Sequence, residues 1–415
     1  IIADPEHNPA ILVDTEGIQH SSYTPATPGW AYVGNTDWLD EFYRKSAFMQ
    51  QHNASLSGGT ERNNYYASIG YKDQSGIFRY GNDSYKRFNL SFNFDTKITD
   101  WLDMSFSTRM SNIKNDEPYM DNGGSDAVTW YYEVYRMYPT LSVFLPNGDF
   151  AGIYLNGGNY NIIGKMALAG RNKKETWDQW YTGRFDLHPM KGLSVKGDYS
   201  WNRYSTVQKF HRKEMTQTFP EGRDPYLVET PNYVRNYNSN NIYQAINVWA
   251  EYKKSFNDVH NLSLMAGYNQ EEKTYASTSY TMTDLYDNEM PISDLAINYK
   301  ENEEGSDIWR VQGAFFRLNY DYRSKYLLEV NGRYDGSSKY AKHDRWAFFP
   351  SASVGWRISE EKFFKSLSKV VDNLKIRASI GALGNQITDG NHSFMSIISG
   401  KVLTIERTQI GRAHV

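Results

Sequence analysis

Three features of this 415-residue sequence predict an all-β fold, an antiparallel transmembrane β-barrel with short turns at one end and long loops at the other. Apolar and polar residues alternate with a period of two over many stretches, which is the pattern of strands with one apolar face. The connections between these stretches are alternately short and long. Aromatic residues gather at the strand ends, as in the two girdles that flank the apolar band of an outer-membrane barrel. Residues 318–358 show all three. Leu318, Tyr320 and Tyr322 alternate with Asn319, Asp321 and Arg323; after a tight turn Tyr326, Leu328, Val330, Gly332 and Tyr334 alternate with Glu329, Asn331, Arg333 and Asp335. A hydrophilic excursion over residues 336–345 follows, then Phe348, Pro350, Ala352, Val354, Trp356 and Ile358. Leu327 and Phe349 interrupt the alternation.

In chain order, residues 1–34 hold Pro5, Pro9, Pro25 and Pro28 and show no period, so they read as irregular, and residues 1–49 as a segment leading into the barrel. Residues 37–44 read as a helical turn that places Trp38 and Phe42 on a surface. Strands then come in pairs. Ala54 and Leu56 turn through Gly58 and Gly59 into Tyr65, Ala67, Ile69 and Tyr71. Phe88, Leu90, Phe92 and Phe94 alternate with Asn89, Ser91, Asn93 and Asp95, and Leu102, Met104 and Phe106 return. Residues 114–176 read as a very long excursion, the kind of loop that carries function. Two more pairs follow, Tyr181–Leu187 with Leu193–Trp201 and Ile246–Tyr252 with Leu262–Tyr268, separated by polar loops reaching to about residue 240 and from about 271 to 307. Residues 359–373 read as a small amphipathic helix at a turn, and Leu374, Ile376, Ala378, Ile380 and Ala382 form the last strand. About twelve strands result. A soluble β-sandwich also alternates polar and apolar residues, but it has no reason to keep its long loops at one end.

Composition agrees. There are 33 Tyr, 11 Trp and 20 Phe, many for a soluble domain and suited to interfacial belts. No apolar run reaches the roughly 18 residues of a membrane helix, and a barrel needs none. The net charge of −3, without a long basic run, argues against nucleic acid as a partner. The absence of cysteine removes thiol chemistry, disulfides and zinc ribbons.

No catalytic residue, cofactor or metal site is expected. The carboxylates of Glu301, Glu303 and Glu304 and of Glu360 and Glu361 read as solvated charge. The histidines show no ligand spacing. Asp121-Asn122-Gly123-Gly124-Ser125-Asp126 offers oxygen ligands for Ca²⁺ but lacks the spacing and closing Glu of an EF-hand, and a flexible turn is favoured. Ser57-Gly58-Gly59 lacks the Lys-Ser/Thr of a phosphate loop. Trp130, Tyr131, Tyr132, Tyr154, Tyr160 and Tyr286 lie in the long loops, where flat rings stack on sugar faces or meet peptide side chains. Packing of the loops, or an upper girdle, explains the same rings, and the sequence leaves the two readings open.

Several segments resemble the SusC/RagA family of TonB-linked (TonB-dependent) outer-membrane transporters. They are Arg333-Tyr334-Asp335-Gly336-Ser337-Ser338, Arg345-Trp346 and the run from Phe348 to Ile358 that contains Pro350, Ser351, Gly355 and Trp356. Asn35-Thr36-Asp37-Trp38, residues 64–76 and residues 374–386 ending Gly384-Asn385-Gln386 complete the set, in family order over most of the chain. The resemblance implies a plugged barrel of roughly 22 strands, of which this chain supplies about 12 as a partial barrel over residues 50–409. Residues 410–415 look like a translated sequencing adapter. The resemblance further implies nutrient uptake, the import of oligosaccharides (glycans) or peptides across a Bacteroidetes-type outer membrane, with a SusD-like surface lipoprotein, TonB acting through an N-terminal plug, and outer-membrane lipid as partners. Inward polar residues such as Asn89, Asn93, Arg184, Asp186, Asn319, Arg333 and Arg357 would line the lumen or grip the plug. A passive channel or adhesin-like barrel is the first rival reading, and a soluble carbohydrate-binding sandwich the second.

Overall fold

The computed structural model describes residues 10–14, 30–119, 126–145, 147–152, 161–218, 226–228, 230–366 and 370–386, with 388, 390 and 391 beyond them. Twelve antiparallel strands are hydrogen-bonded in one sheet whose order follows the chain, so each strand pairs with its neighbours in sequence. They are β3 (Met49–Gly59), β4 (Asn63–Ser75), β5 (Ser84–Thr99), β6 (Leu102–Pro118), β7 (Gly170–Met190), β8 (Leu193–Arg212), β11 (Tyr233–Phe256), β12 (His260–Leu285), β13 (Ala296–Tyr322), β14 (Tyr326–Ser337), β15 (Trp346–Arg357) and β16 (Lys375–Gly381). The sheet is open, with β3 and β16 as its edges. Two short ribbons stand apart: β1 (Ala10–Asp14) with β2 (Trp30–Gly34), and β9 (Met215–Gln217) with β10 (Tyr226–Val228). No helix among the described residues is long and apolar enough to cross a membrane.

Register aligns the alternating residues into rows. Gly58, Tyr65, Phe94, Phe106, Gly183, Tyr199 and Ile246 lie side by side across β3–β8 and β11. On the opposite face Asn64, Asp95, Ser105, Arg184, Asp198 and Asn247 form a polar row. Within the other compact unit (residues 255–270 and 309–415) Leu318, Val330, Ala352 and Ile380 align, as do Tyr320, Leu328, Val354 and Ala378. The apolar side chains are the exposed ones, Leu328, Val354, Phe106 and Ile246 among them. Polar side chains on the other face bond to one another: buried Asn202 donates to Asp178 at 2.6 Å and half-buried Asn247 to Asp198 at 2.8 Å. This is the reverse of a soluble sandwich and is what a sheet solvated by lipid on one face requires.

The turns are tight where the pattern asks. Arg323 and Ser324 both have positive φ (51° and 56°), the two-residue turn whose twist matches that of the flanking strands. The Asp321 carboxylate accepts from the Ser324 N–H at 2.8 Å to hold it.

Several expectations are corrected. Residues 10–14 and 30–34 form a ribbon rather than irregular chain. Trp38 and Phe42 sit on a helix, α1 (Trp38–Phe42), but are buried, not on a surface. Residues 114–176 are no plain loop: β6 continues to Pro118, β7 begins at Gly170, and α2 (Asp126–Tyr135) and α3 (Ile162–Leu168) lie between. The supposed loops up to residue 240 and over 271–307 are mostly strand, since β8 and β12 run on to Arg212 and Leu285. Glu301, Glu303 and Glu304 accordingly lie in β13. The described residues of 359–373 contain 3-10 turns, Ile358–Glu360 and Lys362–Ser366, in place of the expected small amphipathic helix. The strands are long because pairing does not stop at the apolar band. At β12 and β13, of 26 and 27 residues, it continues well past the ~9–11 residues needed to span a bilayer.

Candidate functional site

The long-loop end carries a small folded cap. α1, the β4–β5 connection, α2, α3 and the chain between the last two converge on one apolar cluster. Its centre is Trp38, Phe42, Phe78, Trp130, Ile162 and Ile163. Phe42 meets Phe78 edge to face at 5.2 Å. Polar groups fix the approach of the pieces. Asp37 caps α1, the Trp38 indole N–H donates to the Tyr138 carbonyl at 2.8 Å, and the Thr36 hydroxyl donates to that of Leu141 at 2.6 Å. Asn161, fully buried, caps α3 through the N–H groups of Ile163 and Gly164. Its amide also donates to the carbonyls of Val143 and Ala151 at 2.8 and 3.1 Å. A satisfied buried amide of this kind specifies one arrangement of its loop.

α2 is amphipathic by spacing. Trp130, Val134 and Met137 recur at i, i+4 and i+7 and point into the cluster; Tyr131, Tyr135 and Tyr138 follow the same spacing one residue on and remain exposed. Trp130 is 2% exposed, so its ring packs the cap and is not presented to a ligand. Tyr132 is 60% exposed, with the Arg136 guanidinium over its ring at 5.2 Å and Arg136 in turn paired with Glu133 at 3.2 Å. Tyr131 stacks on Tyr43 at 6.2 Å. The Tyr43 hydroxyl is pushed up to about 12 by burial and by the neighbouring Tyr131 and Tyr135, so it stays protonated. Tyr286 is 86% exposed, just past the end of β12 and away from α2 in the chain. Tyr154, Tyr160 and the oxygen-rich residues 121–125 lie outside the described residues. Sequence reading passed over Tyr135 and Tyr138, although the helical spacing beside Trp130 contains the signal for both.

A second feature gathers the motif residues. A cleft of about 330 Å³ at the loop end of β14 and β15 is lined by Arg333, Asp335, Arg345, Phe349, Gly384 and Gln386 among others. Arg333 and Asp335 pair at 2.8 Å, the Ser337 N–H donates to the Arg345 carbonyl at 3.0 Å, and the Tyr340 hydroxyl donates to the Asn385 carbonyl at 2.7 Å. Phe349, which breaks the alternation, lies on this polar face because its ring covers Gly384, where a Cβ would fall on the ring. The other motif residues serve the opposite face, the turn end or, for Ser351, the polar face further along the strand. Tyr334 stacks on Trp346 at 5.1 Å, and Trp346 also lies over Gly336. Pro350 pairs with Gly332 and Ser351 with Asn331. Gly355 lies against Leu327, and the Trp356 indole donates to Glu361 at 3.3 Å. Among the described residues no group of His, Asp or Glu is arranged to hold a metal ion.

A family model described as "TonB dependent receptor-like, beta-barrel" matches residues 114–383. TonB-dependent receptor P3 of Formosa agariphila is 28% identical over 365 residues, covering 85% of this chain and 34% of that protein. TonB-dependent receptor SusC of Bacteroides thetaiotaomicron is 26% identical over 395 residues, covering 90% of this chain and 37% of that protein. The chain thus spans little more than a third of the length of these relatives. Among solved structures, the RagAB peptide importer in its "closed-closed" state superposes with a TM-score of 0.72 at 22% identity, over 90% of this chain and 40% of that one. That likeness concerns the fold.

Proposed function

The chain belongs to the TonB dependent receptor-like β-barrel family, of SusC/RagA type in the outer membrane, and on that premise we propose that it is the substrate-facing part of an importer of oligomeric nutrients. The single observation that carries this reading is the combination of a lipid-type apolar face with a folded, tyrosine-bearing cap at the long-loop end. A passive channel has no need of a buried core in its loops. Tyr131, Tyr132, Tyr135 and Tyr138, exposed beside the cap core, would serve as stacking surfaces for sugar rings or peptide side chains, a reading supported by the likeness to the RagAB peptide importer. Arg333, Asp335, Ser337, Arg345, Gly384 and Asn385 act in architecture: they tie β14, β15 and the chain after β16 together at the cleft. No enzymatic step is assigned to any residue.

In the complete protein a plug domain fills the lumen against the polar rows, TonB supplies the energy to move it, and a SusD-like lipoprotein closes over the cap. The test is uptake of labelled oligosaccharides and peptides by cells that carry the complete gene. Uptake should stop when TonB is depleted or the proton gradient is collapsed. Entry that persists without energy means a passive channel and overturns the proposal.

A further inference from the structure

The connection between β15 and β16 is the long member of the short-turn class, and Glu361 shows which way it goes. The Glu361 carboxylate accepts from the Tyr326 hydroxyl at 2.7 Å, the Lys325 ammonium at 3.1 Å and the Trp356 indole N–H at 3.3 Å. Tyr326 and Trp356 are cross-strand neighbours in the last apolar row, between Tyr322 and Ile376. They belong to the lipid-facing girdle, where Tyr322 and Tyr326 also stack at 6.3 Å. The chain leaving β15 is therefore drawn outward onto the perimeter of the sheet, rather than inward under the polar face. Phe364 is 5% exposed and anchors this stretch, whereas the adjacent Phe363 is 65% exposed and Val370 84%. Lys362 is exposed beside them. Exposed aromatic and aliphatic side chains next to an interfacial girdle, with a lysine at hand and the Glu361 carboxylate paired with Lys325, fit a phospholipid interface.

We propose that residues 358–366 form an interfacial foot that rests in the leaflet on the short-turn side, Phe363 entering the first acyl carbons and Lys362 meeting the headgroup phosphates. The occupant is membrane phospholipid, because the surface is continuous with the lipid-facing girdle. The inference rests on the membrane reading of the sheet, and the test separates the two.

The 415 residues contain no cysteine, so, with any cysteine elsewhere in the complete protein replaced by Ser, single nitroxide labels can be placed after Phe363→Cys, Leu328→Cys and Ser324→Cys and the protein reconstituted into phospholipid vesicles. Collision with oxygen and with a polar nickel chelate is read by electron paramagnetic resonance. Leu328 should favour oxygen strongly and Ser324, in an exposed turn, the nickel chelate. Phe363 should favour oxygen, at a depth between the two. If Phe363 matches Ser324, the foot is in water; if it is closed to both reagents, a protein segment covers it. Either result overturns the foot while leaving the sheet's assignment intact. A Leu328 label that favours the nickel chelate overturns both.

Discussion

At the scale of single residues, the cap depends on Asn161. Its replacement by Ala removes two N–H caps and the amide donor to the Ala151 carbonyl, while the Val143 carbonyl keeps only the Ala151 N–H, at a cost of about 2–4 kcal/mol to the cap. Amide exchange in α3 should quicken while exchange in β14 stays unchanged. Two carboxylates outside the strands respond to pH in opposite directions. Burial raises the Asp83 carboxyl, and one of its oxygens has no hydrogen-bond partner among the described residues. Asp83 therefore holds a proton better in the folded loop than in the unfolded chain, and it opposes folding increasingly as pH rises through its folded value. Asp83→Asn should slow exchange in the β4–β5 loop at neutral pH and change little in acid. The Tyr326 hydroxyl, then Lys325, lowers the Glu361 carboxyl, so its contribution is present above the ordinary carboxylate range and is lost as pH falls through the folded value. Acidification should loosen the β15–β16 connection, and Glu361→Gln should remove that dependence. Little of this was legible in the sequence. Phe42 and Trp130 look the same in a string of letters whether buried or exposed, because which face of a short helix is covered depends on partners more than 30 residues away.

At the scale of elements, the strands were legible where lipid imposes a period of two, and illegible beyond it. Once a strand leaves the apolar band both faces meet water, the alternation fades, and only pairing continues. Hence β8, β12 and β13 run through residues that read as polar loop. The turns obey backbone sterics. Arg323 and Ser324 occupy left-handed positions that Asn-Gly fills with less strain, so Arg323→Asn with Ser324→Gly should stabilise the β13–β14 hairpin by about 1 kcal/mol. Chemical denaturation of the refolded barrel would read this. On α2, Tyr132→Ala with Tyr135→Ala should leave the fold intact, since both rings are exposed, yet weaken retention of the imported oligomer by about tenfold if the rings stack on it. Loss of folding with no separable loss of uptake would assign the rings to packing instead.

At the scale of the whole molecule, the rows of side chains carry the account. Leu328, Val354, Phe106 and Ile246 are exposed not by accident but along registers that continue from strand to strand. The sequence made this architecture readable because a sheet between lipid and a wet interior has a strict two-residue code. The motif residues were readable too, but the convergence of some of them at one cleft was not, since Arg333, Arg345 and Gly384 are separated in the chain and meet only through the pairing of β14, β15 and β16. The most direct measurement is photolabelling of the complete protein in vesicles that contain a diazirine on the lipid tail, with modified residues mapped by mass spectrometry. Label is expected on Ile69, Phe88, Leu264, Leu328 and Val354, with Asn331, Arg184 and Asp198 spared. Label on the polar rows, or none on the apolar ones, would contradict the membrane assignment from which the proposed function follows.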